Sequence, residues 1–169
     1  MIHLVCGPIG AGKTTLAHQL AKEHGAIRFS EDEWLKQLFV PDAPEDLMNE
    51  TAEVIATWAM DKYQRCRGQI WLVFQQLLQQ GVPVVLDGAA ANKAQRDLIR
   101  QKAADHGVDF QLHYVTADPE VRKARVLERN TVQGETYSLD VTEGMIDLME
   151  AFFEAPEDGE LLNAHVIEN

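Results

Sequence analysis

Cysteine is scarce in this sequence, and long apolar runs are absent. The two cysteines among 169 residues, Cys6 and Cys66, form neither a disulfide framework nor the spacing of a metal site. Their number suits a reducing interior, and no apolar run approaches the length of a membrane span. Because an apolar segment already begins at residue 2, we expect no signal peptide. These features together predict a soluble cytoplasmic protein with no membrane partner.

Basic residues are also few. The sequence has 15 lysines and arginines against 27 acidic residues, so the formal net charge is −12. A field of this sign repels nucleic acid and anionic membranes, which makes a small molecule a better expected partner than a long polynucleotide. The length of 169 residues, with 46% of them hydrophobic, predicts one domain over residues 1–169. Nothing in the sequence indicates an oligomeric state.

Residues 7 to 14 have the sequence Gly-Pro-Ile-Gly-Ala-Gly-Lys-Thr, which matches the phosphate-binding P-loop pattern G-x-x-x-x-G-K-[ST]. Glycines in such a loop let successive backbone N–H groups converge on phosphate oxygens. Lys13 is expected to reach the β- and γ-phosphates, and the Thr14 hydroxyl to hold Mg²⁺. The predicted nucleotide-binding residues are Gly7, Pro8, Ile9, Gly10, Ala11, Gly12, Lys13, Thr14 and Thr15.

The sequence on either side supports this motif. Residues 2–6 form a mostly apolar run typical of a buried parallel strand. Residues 15–24 repeat leucine and alanine at helical spacing, and Gly25 follows as a stop. The motif requires a strand, a glycine-rich loop and a helix in this order, so an accidental match is disfavoured. The chain is therefore predicted to bind a nucleoside triphosphate.

Apolar strands alternate with helices along the rest of the chain. Further strands are predicted at residues 26–30, 82–87, 110–115 and 164–167, and helices at 31–39, 46–80, 92–106, 118–130 and 142–153. The helical pattern at 46–80 is nearly continuous, with Gly68 as a possible interruption. This alternation predicts an α/β fold with a parallel sheet covered on both faces. Right-handed crossovers then bring the carboxyl ends of the strands to one edge, where open α/β sheets bind ligands.

Asp87 ends the strand predicted at residues 82–87, as the acid of a Walker B segment does. Its carboxylate is expected to bind Mg²⁺ through water or to orient the group that is phosphorylated. Gly88 follows it, whereas ATPase motors often carry a water-activating glutamate there, so hydrolysis without an acceptor is disfavoured. The alternative is that Asp87 only caps a turn or a helix.

Asp32 is the better candidate for the base that takes a proton from a substrate hydroxyl. It lies just past the second strand, beside the expected position of the phosphates. Phosphoryl transfer needs mainly positioning and charge neutralisation, so one carboxylate that orients the acceptor is sufficient. The alternative is structural, because Ser30 and Glu33 have the spacing of a capping box and Asp32 would favour the helix dipole. The sequence leaves open whether Asp32 or Asp87 is the base.

Arginines supply the expected phosphate contacts. Arg122, Arg125 and Arg129 lie on one face of the helix predicted at residues 118–130, and guanidinium groups match phosphate oxygens. A polar, lid-like segment at about 130–141 follows, so Arg125 and Arg129 are expected to contact the transferring phosphate. Arg122 belongs equally well to a solvated face. Arg96, on the helix after Asp87, is expected to face the acceptor.

These segments, in this order, resemble a known group of enzymes. The segments that carry the resemblance are the P-loop, residues 30–34 (Ser-Glu-Asp-Glu-Trp), residues 85–88 (Val-Leu-Asp-Gly), Arg96, the arginine series ending at Asn130, and residues 153–156 (Phe-Glu-Ala-Pro). The chain is similar, nearly end to end, to small P-loop kinases of the zeta-toxin, chloramphenicol phosphotransferase and polynucleotide kinase type. Such proteins are often labelled AAA-domain ATP-binding proteins.

The resemblance implies a three-layer, nucleoside-kinase-like P-loop NTPase fold with five parallel strands, in a single kinase domain. It implies ATP-dependent, Mg²⁺-assisted phosphorylation of a hydroxyl group. By the same resemblance, Lys13 and Thr14 hold phosphate and Mg²⁺, Asp32 is the acceptor base, and Arg125 or Arg129 contacts the transferring phosphate. It also places residues 153–161 near the adenine. The helical segment at about 42–80 is where these kinases vary in forming the acceptor pocket, so the acceptor is left unspecified.

Three functions remain open at this point. The first is a kinase for a small hydroxylated molecule, and the second is a nucleotide or polynucleotide kinase. The third is an ATP-binding switch or module without turnover, since a P-loop indicates binding before it indicates catalysis. Residues 92–95 (Asn-Lys-Ala-Gln) lack the aspartate of the guanine-specific N-K-x-D element, so a GTP switch is disfavoured.

Overall fold

The computed structural model describes residues 1–88, 90–132 and 141–169. The described residues form one parallel sheet of five strands in the order β2-β3-β1-β4-β5. The strands are β1 (Ile2–Cys6), β2 (Ile27–Ser30), β3 (Val84–Asp87), β4 (Phe110–Thr116) and β5 (Ala164–Glu168). The predicted α/β fold with a five-stranded parallel sheet is therefore confirmed, and the strand bounds differ from the prediction by at most two residues.

Seven α-helices accompany the sheet in the described part of the chain. They are α1 (Lys13–His24), α2 (Glu31–Leu38), α3 (Ala52–Gln79), α4 (Lys93–Asp105), α5 (Pro119–Val132), α6 (Glu143–Phe152) and α7 (Asp158–Leu161). Short polar side chains begin several of them, because a side-chain oxygen satisfies an otherwise unpaired N–H of the first turn. Thr142 caps α6, as its sequence position predicts, and α4 begins with a full capping box of Asn92 and Gln95.

The segment predicted as nearly continuous helix from residue 46 differs from the prediction at its start. Two short 3-10 turns, Val40–Asp42 and Leu47–Asn49, come first, and α3 begins only after Thr51, whose side chain accepts a hydrogen bond from the N–H of Val54. Gly68 does not interrupt α3, which runs for 28 residues. A glycine costs about 1 kcal/mol inside a helix. The buried face of α3 offsets this cost by packing against the sheet.

The two faces of β1 contact different helices. Leu4 packs in the larger cluster with Phe74 of α3, whereas Val5 packs in a second cluster with Ala17 and Leu20 of α1. Both β1 residues are fully buried.

None of the helices in the described ranges combines the length and apolar character that a membrane crossing requires.

Strand register brings the functional ends of the strands together. Asp87, the last residue of β3, lies beside Val5 of β1 on one side and Ser30 of β2 on the other. The P-loop begins directly after β1, and α2 begins directly after Ser30. The sheet therefore presents the P-loop, Asp87 and the first turn of α2 at one edge.

Four histidines cluster on the α1 face of the sheet: His3 in β1, His24 in α1, His113 in β4 and His165 in β5. Nδ1 of His3 and Nε2 of His113 are 3.1 Å apart, which is a hydrogen bond. Burial lowers the pKa of His3 and of His113 to about 4. The neighbouring His24 lowers the pKa of His3 further, and His3 does the same to His113. The N-terminal amine and His165 also contribute at His3. Both rings are therefore neutral in the folded protein at neutral pH.

This cluster predicts a loss of stability in weak acid. An unfolded histidine has a pKa near 6.5, so between this value and about 4 the unfolded chain binds more protons than the folded one. The free energy of unfolding should therefore fall as the pH drops through this window, by about 2 kcal/mol for one ring between pH 7 and pH 5. Urea unfolding at the two pH values measures the difference.

The matched variants are His113→Gln in the cluster and His18→Gln, which is exposed on α1. The pH dependence should become weaker in His113→Gln and stay unchanged in His18→Gln. An equal pH dependence in both variants would show that the acid sensitivity arises elsewhere.

Candidate nucleotide and acceptor site

The P-loop backbone follows a path that two of its glycines make possible. Gly10 has a φ of 76°, a left-handed conformation that other residues rarely adopt. A Cβ at Gly10 would lie 2.5 Å from the carbonyl oxygen of Arg122, and one at Gly7 would lie 2.1 Å from that of Val115. Larger residues are excluded by the close approach of α5 and β4. The loop is therefore shaped by both its own sequence and its neighbours.

Lys13 begins α1 and folds back over this loop. Its Nζ donates a hydrogen bond to the carbonyl oxygen of Pro8 at 2.9 Å. Burial lowers the pKa of Lys13, while the carboxylates of Asp32 and Asp87 oppose this shift. The ammonium group therefore lies within electrostatic reach of both acids, at the position where the motif predicts a phosphate.

The side chains of Asp87, at the end of β3, and Thr14, in the first turn of α1, lie near each other. Asp87 is buried. Nη1 of Arg28 donates to Oδ2 of Asp87 at 2.8 Å. Burial raises the pKa of Asp87, and the positive charges of Arg28 and Lys13 counteract that effect. Sequence reasoning missed Arg28, although a charged residue inside an apolar strand pattern was a signal of a buried partner.

Asp32 lies in the first turn of α2 and is exposed. The hydroxyl of Tyr63, on α3, donates to Oδ1 of Asp32 at 2.5 Å. The side-chain oxygen of Ser30 accepts a hydrogen bond from the N–H of Glu33 at 3.3 Å, so Ser30 caps the helix as predicted. Glu33 itself pairs with Arg28. The capping role thus belongs to Ser30, and the Asp32 carboxylate lies outside it.

A second contact joins α2 to α3 next to the hydrogen bond between Tyr63 and Asp32. Arg67 donates from Nε and Nη2 to the two carboxylate oxygens of Glu31, at 2.8 and 2.7 Å. Burial raises the pKa of Glu31, and the hydrogen bonds and charge of Arg67 oppose the shift. A forked pair of this kind fixes both direction and distance. Neither Tyr63 nor Arg67 carried a sequence signal, because each depends on a partner about 30 residues or more away.

The arginines of α5 differ in their surroundings. Arg122 is buried, and it donates to the carbonyl oxygens of Ala117 at 3.0 Å and Ile9 at 3.2 Å and pairs with Glu150. It therefore supports the P-loop from behind. Arg129 is partly buried, its Nε has no hydrogen-bond partner among the described residues, and its charge lowers the pKa of Lys13. Arg125 is exposed, and its phosphate contact remains a prediction.

Arg96 does not occupy the position that the sequence suggested. It is fully buried, and its Nε and Nη2 donate to the two carboxylate oxygens of Glu160, both at 2.8 Å. Its Nη1 donates to the carbonyl oxygen of Glu154 at 2.7 Å. These bonds hold the chain after α6 against α4. We therefore correct the expectation that Arg96 faces the acceptor, because its donors are used inside the protein.

The lid-like segment predicted at about 130–141 lies mostly outside the described residues, which resume at Val141. Its two ends are joined, because the side chain of Asn130 donates to the carbonyl oxygen of Val141 at 2.8 Å and accepts from its N–H at 3.1 Å.

Residues 153–156 follow α6, and the N–H of Glu154 donates to the carbonyl oxygen of Ala91 at 2.8 Å. The expected position of residues 153–161 near the adenine remains a prediction.

The sheet order, the P-loop after β1 and the acid at the end of β3 together define a P-loop NTPase fold of the small-kinase type, a fold that binds nucleotides. The chain belongs to the AAA domain family, whose model matches residues 2–156. A search of curated proteins found no significant match to this sequence.

Several solved structures share this fold. A sugar kinase from Janibacter sp. HTCC2649 is 20% identical, with 99% of this chain and 84% of that chain covered and a TM-score of 0.62. Chaetomium thermophilum Kti12 in complex with ADP-AlF3 is 16% identical, with coverage of 100% and 88% and a TM-score of 0.67. A gluconokinase from Sinorhizobium meliloti 1021 is 15% identical, with coverage of 98% and 81% and a TM-score of 0.59. At these identities the likeness establishes the fold.

The burial of Arg96 predicts a structural effect when the side chain is shortened. Arg96→Met leaves the buried Glu160 carboxylate without its forked partner, so the free energy of unfolding should fall by about 3–5 kcal/mol. Arg100→Met is the control, because Arg100 lies 3.7 Å from the same carboxylate but is partly exposed. The control should lose less than about 1 kcal/mol. Chemical denaturation measures both, and equal losses would contradict the structural role assigned to Arg96.

Proposed function

We propose that this chain is an ATP-dependent phosphotransferase that moves the γ-phosphate to a hydroxyl group of a small molecule. One observation carries the proposal: an exposed carboxylate, Asp32, lies within electrostatic reach of the P-loop ammonium group of Lys13 and of Asp87. A protein that binds a nucleotide without phosphoryl transfer needs the Lys13 ammonium group. It has no need of an acid such as Asp32 placed beside that group. Phosphoryl transfer requires both the cation and the acid, one on each side of the reacting phosphate.

Each of these groups has a distinct role in the proposed reaction. The acceptor hydroxyl gives its proton to Asp32 as its oxygen forms the new bond to the γ-phosphorus. The bond between that phosphorus and the bridging oxygen breaks, and ADP leaves with the electron pair. Lys13 and Arg129 neutralise charge on the phosphate oxygens, and Arg125 is proposed to join them. Asp32, and not Asp87, is proposed as the base, because Asp87 is buried and already bonded to Arg28.

The residues at the end of β3 fit a magnesium ion. Mg²⁺ prefers oxygen ligands and keeps several waters when it is bound with phosphates, so it needs only one or two protein oxygens. The Thr14 hydroxyl and the Asp87 carboxylate are adjacent and supply such oxygens. The ion would neutralise phosphate charge during transfer.

The comparisons support this proposal through the fold and do not select the acceptor. The similar structures include a sugar kinase and a gluconokinase, which by name transfer phosphate to hydroxylated molecules. The net charge of −12 favours a small acceptor over a long polynucleotide. A nucleotide or polynucleotide end remains the second candidate acceptor, and ATP binding without transfer the third possibility.

A screen with a metabolite library separates these possibilities. Purified protein is incubated with ATP, Mg²⁺ and pools of hydroxyl compounds that include nucleosides and short oligonucleotides, and mass spectrometry follows phosphate incorporation. ATP consumption that depends on an added hydroxyl compound supports the kinase. Steady turnover without an acceptor, or tight ATP binding with no product in any pool, contradicts it.

Lys13→Ala should abolish transfer and weaken nucleotide binding, because it removes the positive charge that faces the transferring phosphate. The loss in turnover should be about a hundredfold or more, by analogy with the removal of one preorganised charge-stabilising donor. Lys22→Ala, on the exposed far end of α1, is the control. Calorimetry with ATP and Mg²⁺ measures binding, and a coupled assay measures turnover. Transfer by Lys13→Ala at the parent rate would show that the assignment is wrong.

Asp32→Asn should lower turnover by about 10²–10⁴-fold with little change in ATP affinity, since a general base acts in the transfer step. Asp87→Asn is the informative comparison, because a metal-side acid should weaken binding of ATP with Mg²⁺ as well. Steady-state kinetics and calorimetry on the two variants distinguish the roles. Parallel losses of turnover and affinity in Asp32→Asn would instead make Asp32 a structural residue of α2.

A further inference from the structure

We propose that Tyr63 is the positioning residue for the acceptor base: its phenol holds one carboxylate oxygen of Asp32 and leaves the other for the acceptor hydroxyl. This inference rests on the proposed function, because Asp32 needs an orientation only if it receives a proton. It assigns a role to a residue of α3, the helix within the segment where the acceptor pocket is expected.

The contact itself is short and has a defined direction. The Tyr63 oxygen lies 2.5 Å from Oδ1 of Asp32, within the range of an O–H donor bonded to an ionised carboxylate. A carboxylate accepts and a phenol donates in such a pair. Oδ1 of Asp32 is therefore engaged, and no other described side chain is bonded to Oδ2. The exposed position of Asp32 leaves this second oxygen accessible to a ligand.

Tyr63 keeps its proton under working conditions. Burial raises the pKa of Tyr63 well above its usual value, and the negative charge of Asp32 adds to the effect. The phenol therefore remains a donor throughout the neutral range and does not compete with Asp32 as a base. A constant donor is what a positioning role requires.

The two helices that carry the pair are fixed relative to each other. Arg67 lies one turn beyond Tyr63 on α3, and it forms the forked ion pair with Glu31, the residue before Asp32. Leu35 of α2 and Ile70 of α3 belong to the same buried cluster. Tyr63 is thus attached to a rigid support, so its hydroxyl has a defined position against the start of α2.

A free aspartate lacks this restriction. The terminal torsion of an aspartate side chain is broad, so an exposed carboxylate samples many orientations. Proton transfer needs the accepting oxygen within hydrogen-bond reach of the reacting hydroxyl, and small displacements are costly. By holding Oδ1, Tyr63 limits the orientations of Oδ2. The acceptor-side helix α3 thereby determines how the base faces the acceptor.

The variant Tyr63→Phe removes the hydroxyl and keeps the ring. We expect turnover to fall by about tenfold with ATP affinity unchanged, because a charge-assisted hydrogen bond is lost at the base only. The control is Gln101→Ala, which shortens an exposed α4 side chain bonded to Asp105 and should alter neither turnover nor ATP affinity.

Two further measurements separate positioning from a structural contact. In an Asp32→Asn background, Tyr63→Phe should have little additional effect on turnover, because the residue acts through Asp32. Acceptor titrations of Tyr63→Phe should show a larger change in kcat than in KM, since the base acts in the transfer step. Thermal unfolding of Tyr63→Phe and Gln101→Ala shows whether either variant is misfolded.

The outcomes distinguish this inference from the function on which it rests. A parent protein that phosphorylates no hydroxyl compound would overturn the kinase proposal and this inference together. If the parent transfers phosphate and the Tyr63→Phe variant has equal turnover, this inference alone is overturned. The positioning role is also overturned if Tyr63→Phe lowers turnover equally in the presence and absence of the Asp32 carboxylate, or if KM for the acceptor changes as much as kcat.

Discussion

The hydrogen bonding of β1 on both of its edges is the constraint on which the proposed site depends. Its partners β3 and β4 place Val5 beside Asp87 and Cys6 beside Tyr114. The P-loop follows β1 at once, so this register sets the distance between the loop and Asp87. A slip of one residue would move Asp87 by about 3.3 Å and reverse the faces of the strand. Burial of β1 on both faces makes such a slip very costly, which keeps the edge intact.

Acids at this edge differ in how their charge is compensated, and the difference suggests separate roles. Asp87 is desolvated, and the positive groups of Arg28 and Lys13 oppose the rise in its pKa. Glu31 is also buried, and Arg67 balances it. Asp32 is exposed and is held by a neutral phenol. An acid fixed by cations suits a metal-side position, whereas an exposed acid held by a neutral donor suits contact with a substrate hydroxyl.

The arginines show how far a spacing pattern determines the surroundings of a side chain. Seven residues make about two helical turns, so Arg122 and Arg129 point in similar directions while Arg125 lies to one side. The structure agrees, because Arg122 and Arg129 are at least partly buried and Arg125 is exposed. The periodicity does not reveal that Arg122 contacts a carbonyl of the P-loop instead of a phosphate. For Arg96, position alone suggested the acceptor site, and burial against Glu160 assigned it to the interior.

The sequence by itself determined the features that depend on neighbours within a few residues. The P-loop, the cap at Ser30, the α/β alternation and the strand ending at Asp87 follow from backbone preferences and hydrophobic periodicity. Tertiary structure alone decided the partners of the charged and polar side chains. Arg28 and Asp87 are 59 residues apart, Arg96 and Glu160 are 64 apart, and Tyr63 and Asp32 are 31 apart. Such pairs form only when packed helices and strands bring distant segments together, because their energies depend on burial and distance, which no local pattern encodes.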